Sequence, residues 1–232
     1  MPLETFATIF EDEDVLVLEK PRGLAVHLGN KPDEITLVDF LLKKYPLIKN
    51  VGENPIRPGL VHRLDKEVSG VMVVAKNQQA FVGLKEQFMQ RLTQKEYRAI
   101  VHGILPQKTG VIKFRIAHSK TRGGKMAARP ENCKGKEAWT EYEVLKEKNR
   151  RYSELKVTIK TGRTHQIRAH LAAIDHPLVG DSLYFSKKYQ NKKEYPRLFL
   201  HAYRLSFAHP THGQKMIFQA NTPKEFEVFL SS

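Results

Sequence analysis

His62, Arg63 and Asp65 lie together in the sequence HRLDKEVSG at residues 62–70, immediately before an apolar run. The run from Gly70 to Lys76 is continuously apolar up to its last residue, which predicts a buried central strand. A carboxylate at the mouth of such a strand is held by a rigid scaffold and can face a cleft. From the residues alone, Asp65 is either a catalytic acid or a member of a salt-bridged loop.

A second group of polar residues occurs in TGRTHQIRAH, residues 161–170. The pattern predicts a turn followed by a helix with Thr164 as its N-cap, and it places His165 and Arg168 side by side on the helix surface. The N–H groups and dipole at a helix start favour an anion, and the neighbouring bases add to that preference. The alternative is a basic amphipathic helix with solvated side chains. His165, His170 and His176 could also suggest a metal site, but no carboxylate or cysteine completes the set, so we predict no metal.

Tyr97 lies in KEYRAIVHG, residues 95–103, which alternates as a strand with Tyr97, Ala99 and Val101 on one face. A tyrosine on a half-buried strand is usually a core residue whose hydroxyl reaches water. The sequence contains no phosphate-binding loop, no dinucleotide glycine fingerprint and no G-x-S-x-G motif. Nucleotide-driven, redox and serine-hydrolase chemistry therefore lose support.

The charge balance favours a polyanionic partner. Among 232 residues there are 39 Lys and Arg against 25 Asp and Glu, a net charge of +14. Such an excess indicates RNA, DNA or the ribosome, although a generic basic surface is the alternative. Cys133 is the single cysteine, so an intramolecular disulfide is impossible. No apolar run is long enough to span a bilayer and no signal peptide is evident, so we expect a cytoplasmic protein.

The remaining segments must position these residues. Strands clearly outnumber helices and most connections are hairpin-like, so we predict an α+β fold with a largely antiparallel mixed sheet, flanking helices and a central catalytic cleft. No boundary is evident, and we therefore treat residues 1–232 as a single catalytic domain. Two basic stretches, residues 117–137 and 186–197, are predicted to be loops. Helices are predicted after Thr36, after Asn77 and near Pro223.

These segments together resemble the RluA-type pseudouridine synthases, which isomerise uridine in ribosomal and transfer RNA. The family's HRLDxxTSGxxxxAK is matched by residues 62–76, its KxYxAxVxG by residues 95–103, and its TGRxHQIRxHxxxxxHPxxGDxxY by residues 161–184. A tail resembling LHAxxLxFxHP occupies residues 200–210. Val68 replaces the family's usual threonine. The motifs begin too early for the small N-terminal RNA-binding domain of the ribosomal S4 type that many relatives carry, so we expect a stand-alone catalytic domain.

The resemblance implies an isomerase that cleaves the uridine N1–C1′ bond, rotates the base and rejoins it through C5. It implies no metal, nucleotide or redox cofactor. Asp65 would be the essential carboxylate and Arg168 its salt-bridge partner, with Arg163 as the competing candidate. Tyr97 would stack on the target base and serve in removing the C5 proton. The base must first be extracted from its stack, and Arg63 would fill the vacated space.

The RNA-binding residues predicted beside these catalytic ones are His62, Arg63, Arg163, His165 and Gln166. We expect a monomer whose partner is ribosomal or transfer RNA, with the choice between the two left open. The alternative from another class is a non-catalytic RNA- or ribosome-binding factor on the same scaffold. A third hypothesis, a hydrolase or nuclease, predicts metal dependence or RNA fragments.

Overall fold

The computed structural model describes residues 6–29, 34–119, 125–185, 187–189 and 195–231. The chain divides into two compact units, the first formed by Met1–Gln94 with Ala202–Asn221 and the second by Lys95–His201 with Thr222–Ser232. The single catalytic domain, which was expected because the sequence shows no evident boundary, stays a prediction. No helix among these described residues is long and apolar enough to cross a bilayer.

The fold class is α+β, as predicted, and strands and helices alternate irregularly along the chain. Two short 3₁₀ helices, Pro46–Asn50 and Lys187–Tyr189, accompany the regular elements. The regular elements are, in chain order, β1 Ala7–Glu11, β2 Val15–Lys20, α1 Leu37–Lys44, β3 Ser69–Ala75, α2 Gln78–Met89, β4 Gln94–His102, β5 Thr109–Ile112, β6 Arg115–His118, β7 Met126–Arg129, β8 Thr140–Lys148, β9 Tyr152–Ile159, α3 Gln166–Ala173, β10 Leu200–Ala208, β11 Lys215–Gln219 and α4 Lys224–Ser231.

The first unit is built on the strand order β1-β2-β3-β10, with β11 on the hairpin that follows β10. Every residue of β3 is buried, as expected for an apolar strand covered on both faces. The helix starts follow from local signals. The Asn77 side chain accepts a hydrogen bond from the Ala80 N–H at 2.9 Å, and Asp39 accepts bonds from both the N–H and the hydroxyl of Thr36 at 2.7 and 2.8 Å.

The second unit contains the antiparallel order β4-β9-β8-β5 and a separate two-stranded sheet of β6 and β7. In β9, Leu155, Val157 and Ile159 are buried on one face, as predicted. Strand β4 differs from the expected half-buried pattern. Its residues Glu96 to His102 are almost all buried, and residues 177–179 and Phe199 bond to its backbone as well. Tyr97 therefore lies in a strand that is covered on both faces.

Two sequence predictions about loops and caps are wrong. The stretch 117–137 contains a strand, since residues 126–129 pair antiparallel with residues 115–118. The N-cap of α3 is His165 and not Thr164, and His165 has a left-handed backbone with φ of 52°. Residues 120–124, 186 and 190–194, parts of the two basic stretches, lie outside the described residues.

Candidate active site

Asp65 lies half-buried in an irregular segment whose backbone is held by hydrogen bonds to the carbonyls of Asp65 and Lys66. The Asp65 carbonyl accepts from the Val68 N–H at 3.1 Å, which forms the turn into β3. The next carbonyl, that of Lys66, accepts from the Gly23 N–H at 2.8 Å and from the Lys20 ammonium at 3.2 Å. The peptide next to the acid is thus held by two donors from another part of the first unit.

Lys20, at the end of β2, is fully buried. Its ammonium also donates to the carbonyls of Pro21 and Leu24 at 2.7 and 2.8 Å, so backbone oxygens surround the charge. A buried lysine needs such partners because an unpaired charge is costly to remove from water. The sequence motifs suggested no role for Lys20. The available signal was a lysine at the end of VLVLEK, a segment that reads as a buried strand.

His62 is directed toward the scaffold of the first unit. Its Nε2 accepts a hydrogen bond from the Val73 N–H at 3.1 Å, and its ring stacks on Phe88 with centroids 4.7 Å apart. Accepting that bond requires an unprotonated Nε2, so the ring is neutral in this arrangement. His62 therefore fixes the approach to β3.

Arg63 is exposed, and its guanidinium is oriented by a buried neighbour. Its Nη1 lies 3.3 Å from Nε2 of His27, whose Nδ1 lies 2.8 Å from the Leu28 carbonyl. Burial lowers the pKa of His27; the bond to Leu28 opposes that shift, and the charges of Arg57 and Arg63 reinforce it. His27 therefore stays neutral and can accept from Arg63, a positioning role that the sequence motifs did not reveal.

Gln166 is buried, and both ends of its amide bond inside the second unit. Its Oε1 accepts from the Thr161 hydroxyl at 2.7 Å and from the Arg163 N–H at 3.0 Å. Its Nε2 donates to the Trp139 carbonyl at 3.1 Å and to the Thr140 hydroxyl at 3.0 Å. The side chain predicted to contact RNA thus shapes the turn that leads into α3.

Arg163 and His165 are partly exposed at the start of α3. The Arg163 Nε donates to the Glu137 carbonyl at 3.0 Å. His165 Nδ1 lies 3.1 Å from the Tyr184 hydroxyl, which also accepts from the Met126 N–H at 2.7 Å. The Tyr184 hydroxyl therefore connects the start of α3 to the start of β7.

Arg168 is buried, whereas the helical pattern predicted it on the surface beside His165. Its Nε and Nη2 donate to the two carboxylate oxygens of Asp181, each at 2.8 Å. His170 and His176, which were considered with His165 as metal ligands, have hydrogen-bond partners too: His170 contacts Thr140 and the Phe114 carbonyl, and His176 contacts the His102 carbonyl. Pairing of Arg168 with Asp65 stays a prediction from the motifs.

Comparison with known proteins decides the family. A model described as RNA pseudouridylate synthase matches residues 14–173. The chain is 44% identical to an uncharacterized RNA pseudouridine synthase of Aquifex aeolicus, over 94% of this chain and 70% of that protein. It is 38% identical to ribosomal large subunit pseudouridine synthase D of Pasteurella multocida, over 94% of this chain and 68% of that one. Human RNA Pseudouridylate Synthase Domain Containing 1 has a similar structure, with a TM-score of 0.75, 26% identity, and 96% and 86% of the two chains covered.

The chain belongs to the RNA pseudouridylate synthase family. The enzyme class predicted from the three motifs, an isomerase, is thereby confirmed. Residues 14–173 of this synthase include the eight site residues predicted from the sequence. Asp181 and Tyr184, which bond to Arg168 and His165, follow that range. Both lie in the last part of the third motif, where the sequence suggested no role for them.

Proposed function

We propose that this synthase isomerises a uridine of large-subunit ribosomal RNA, with Asp65 as the essential carboxylate. The names of several relatives, ribosomal large subunit pseudouridine synthase D, support this RNA over transfer RNA. The observation that carries the role of Asp65 is its placement, half-buried on a backbone held by Lys20 and Gly23 at the start of a buried strand. A reacting group needs such a rigid support.

The proposed reaction balances without a second substrate. The N1–C1′ bond of uridine breaks and a C5–C1′ bond forms, while the C5 proton is lost and N1 gains one. Any role of Asp65 in this sequence needs an ionised carboxylate, and we propose that the Arg168 guanidinium favours that form. Tyr97 would stack on the base and assist removal of the C5 proton.

The target base must leave its stack before it can react. We propose that Arg63 occupies the vacated space, since its guanidinium is exposed and a planar cation stacks well on bases. His27 supports this role because it is neutral and accepts from Arg63. Arg163 and His165 would contact phosphates at the start of α3, while Gln166 and His62 hold the segments that present them.

Mapping pseudouridine in cells with and without this gene tests the proposed function. We expect one or more large-subunit ribosomal positions to lose the modification and transfer RNA to keep its own. Purified protein should restore those positions in RNA from the deficient cells, releasing the label from uridine tritiated at C5. Binding without tritium release would instead support the non-catalytic factor, and shortened RNA would support the nuclease.

Chelation tests the cofactor expectation separately. The proposed isomerisation is redox-neutral and needs no Lewis acid, so tritium release should persist in EDTA without added nucleotide. Magnesium must be varied with unstructured substrate as well, because it can act by folding RNA. Loss of activity on both substrates, with recovery on adding zinc or iron, would contradict this expectation.

A further inference from the structure

We propose that Asp181 is a positioning residue for the isomerisation, acting by fixing the plane and direction of the Arg168 guanidinium. This inference rests on the proposed role of Arg168. The carboxylate binds the Nε and Nη2 edge in a two-point fork, both bonds measuring 2.8 Å. Because a guanidinium is planar, fixing that edge also fixes where the Nη1 amino group points.

The position of Asp181 is itself set by the backbone around it. Its Oδ1 accepts from the N–H groups of Leu183 and Tyr184, both at 2.9 Å. The preceding residue, Gly180, has φ of +76°, and a Cβ there would lie 1.9 Å from the Arg197 carbonyl oxygen. Only glycine permits this close approach, so the segment that carries the carboxylate has little freedom.

The same segment is anchored to the strand that carries Tyr97. The Val179 N–H donates to the Ile100 carbonyl at 2.9 Å in β4, and the Phe199 N–H donates to the Val179 carbonyl at 3.0 Å. Asp181 lies two residues after Val179. A rigid path in the second unit therefore leads from the strand of one predicted catalytic residue to the side chain of another.

A second contact restrains the guanidinium from its face. The Cζ of Arg168 lies 5.2 Å from the centroid of the Tyr184 ring, within the range of a cation–π interaction. The Tyr184 hydroxyl is bonded to the Met126 N–H and to His165, so the ring cannot swing freely. Arg168 is thus held along one edge by Asp181 and over one face by Tyr184.

A purely stabilising ion pair is the competing explanation. Buried charges lose much of their attraction to the cost of leaving water, and well-packed apolar residues often stabilise a fold equally well. The carboxylate of Asp181 is fully buried and the Arg168 side chain is 8% exposed, so this cost applies in full. An apolar pair could not orient a guanidinium toward the reacting groups, whereas the pair of Arg168 and Asp181 can.

Two substitutions at Asp181 separate orientation from stability. Asp181→Asn keeps Oδ1 for the turn and replaces the oxygen that faces the Arg168 Nε with an NH₂ donor. Asp181→Glu keeps the charge and the ion pair but displaces the fork by one methylene. Asp175→Asn is the matched control, since Asp175 is an exposed aspartate in the same unit just after α3. All variants are checked for folding by circular dichroism.

Single-turnover rates at saturating RNA are then compared with RNA affinities. We expect both Asp181 variants to lose about a hundredfold in rate, with affinity within about threefold of the parent, as for a misplaced catalytic group. If Asp181→Asn does not fold, Asp181→Glu carries the test. A folded Asp181→Glu variant with a rate within about threefold of the parent overturns the proposal.

Chemical rescue provides a readout that a structural role would not move. Millimolar guanidinium should restore part of the activity of Arg168→Ala, because Asp181 can bind the free ion in the same orientation. The double variant Arg168→Ala, Asp181→Asn should show no rescue, and equal rescue of both variants would overturn the proposal. A parent protein that converts no uridine in any RNA would instead overturn the proposed function itself, whatever the Asp181 variants do.

Discussion

The segment of Asp65 in the first unit and the helix of Arg168 in the second are positioned in different ways. Around Asp65 the bonds hold the backbone: the Lys66 carbonyl is bound by Lys20 and Gly23, and the acid itself stays half-buried. Around Arg168 the bonds hold the end of the side chain, through the buried carboxylate of Asp181.

This difference fits the two proposed roles. A carboxylate that takes part in bond making must be held at a defined place, and the bonds to the Lys66 carbonyl supply that support through the main chain. A guanidinium that only orients charge works best when its plane is fixed. Each unit uses a buried cation. In the first unit Lys20 is bound by backbone carbonyls, and in the second unit Arg168 is bound by a carboxylate.

The largest effect is expected from Asp65→Asn. The amide is nearly isosteric but carries no charge, so tritium release should fall by roughly a thousandfold or more, as when an essential catalytic group is removed. Glu67→Gln, an exposed carboxylate on the same turn, is the control and should keep its activity. RNA affinity and melting temperature of Asp65→Asn should match those of the parent. Turnover within about tenfold of the parent would contradict the catalytic assignment.

Arg168→Ala should lose both activity and stability. Removing the guanidinium leaves the buried Asp181 carboxylate without its partner, at a cost of about 3–5 kcal/mol in the free energy of unfolding. Adding Asp181→Asn should recover part of that stability but none of the activity. Urea unfolding of the two single variants and the double variant measures this coupling. If Asp65→Asn restored the stability of Arg168→Ala and Asp181→Asn did not, the stabilising partner of Arg168 would be Asp65 and not Asp181.

Lys20→Met should destabilise the protein by about 2–3 kcal/mol, because buried carbonyls lose their donor. Loss of the bond to Lys66 should also loosen the backbone beside Asp65, so activity at saturating RNA should fall in the folded fraction. Lys43→Met, an exposed lysine on α1, is the matched control. Equal urea midpoints for Lys20→Met and Lys43→Met would contradict a stabilising role of the Lys20 ammonium.

The smallest effect is a loss of stability in mild acid that depends on His170. Burial lowers the pKa of this fully buried ring, and its contact with the Phe114 carbonyl only partly opposes the shift. The unfolded chain binds a proton near pH 6.5, whereas the folded ring stays neutral, so stability should fall as the pH drops below about 6.5. Urea midpoints at about pH 7.5 and 5.5 should differ less for His170→Gln than for the parent. If the urea midpoints of His170→Gln and the parent fell equally between the two pH values, the acid sensitivity would not come from His170.

Local signals allowed much of the fold to be predicted from the sequence. Asn77 and Thr36 cap their helices through contacts within four residues, and the apolar run of β3 requires burial wherever it lies. The cap of α3 could not be predicted in this way. His165 takes its left-handed conformation beside Tyr184, which is distant in the sequence. The strand at residues 126–129 depends likewise on pairing with residues 115–118.

The sequence motifs single out the candidate site residues but do not reveal their hydrogen-bond partners. Asp65, Tyr97 and Arg168 are recognisable because they stand in long motifs, yet the bond between Arg168 and Asp181 links a helix to an irregular segment 13 residues later. No periodicity predicts such a contact. Gln166 shows the reverse error, because a polar side chain at a helix start suggests solvent, whereas the turn encloses it.

The order of the two units along the chain has a consequence for synthesis. The first unit needs β10, which contributes buried residues such as Leu205 and Phe207, and β11, which pairs with it. Most of β10 and all of β11 follow residues 95–201 of the second unit. As the chain leaves the ribosome, the second unit can assemble nearly all of its strands while the first still lacks two. We therefore expect the segment of Asp65 to emerge early and to reach its final position late. Nascent chains that end before residue 202 should protect β4, β8 and β9 from protease while β2 and β3 stay open to cleavage.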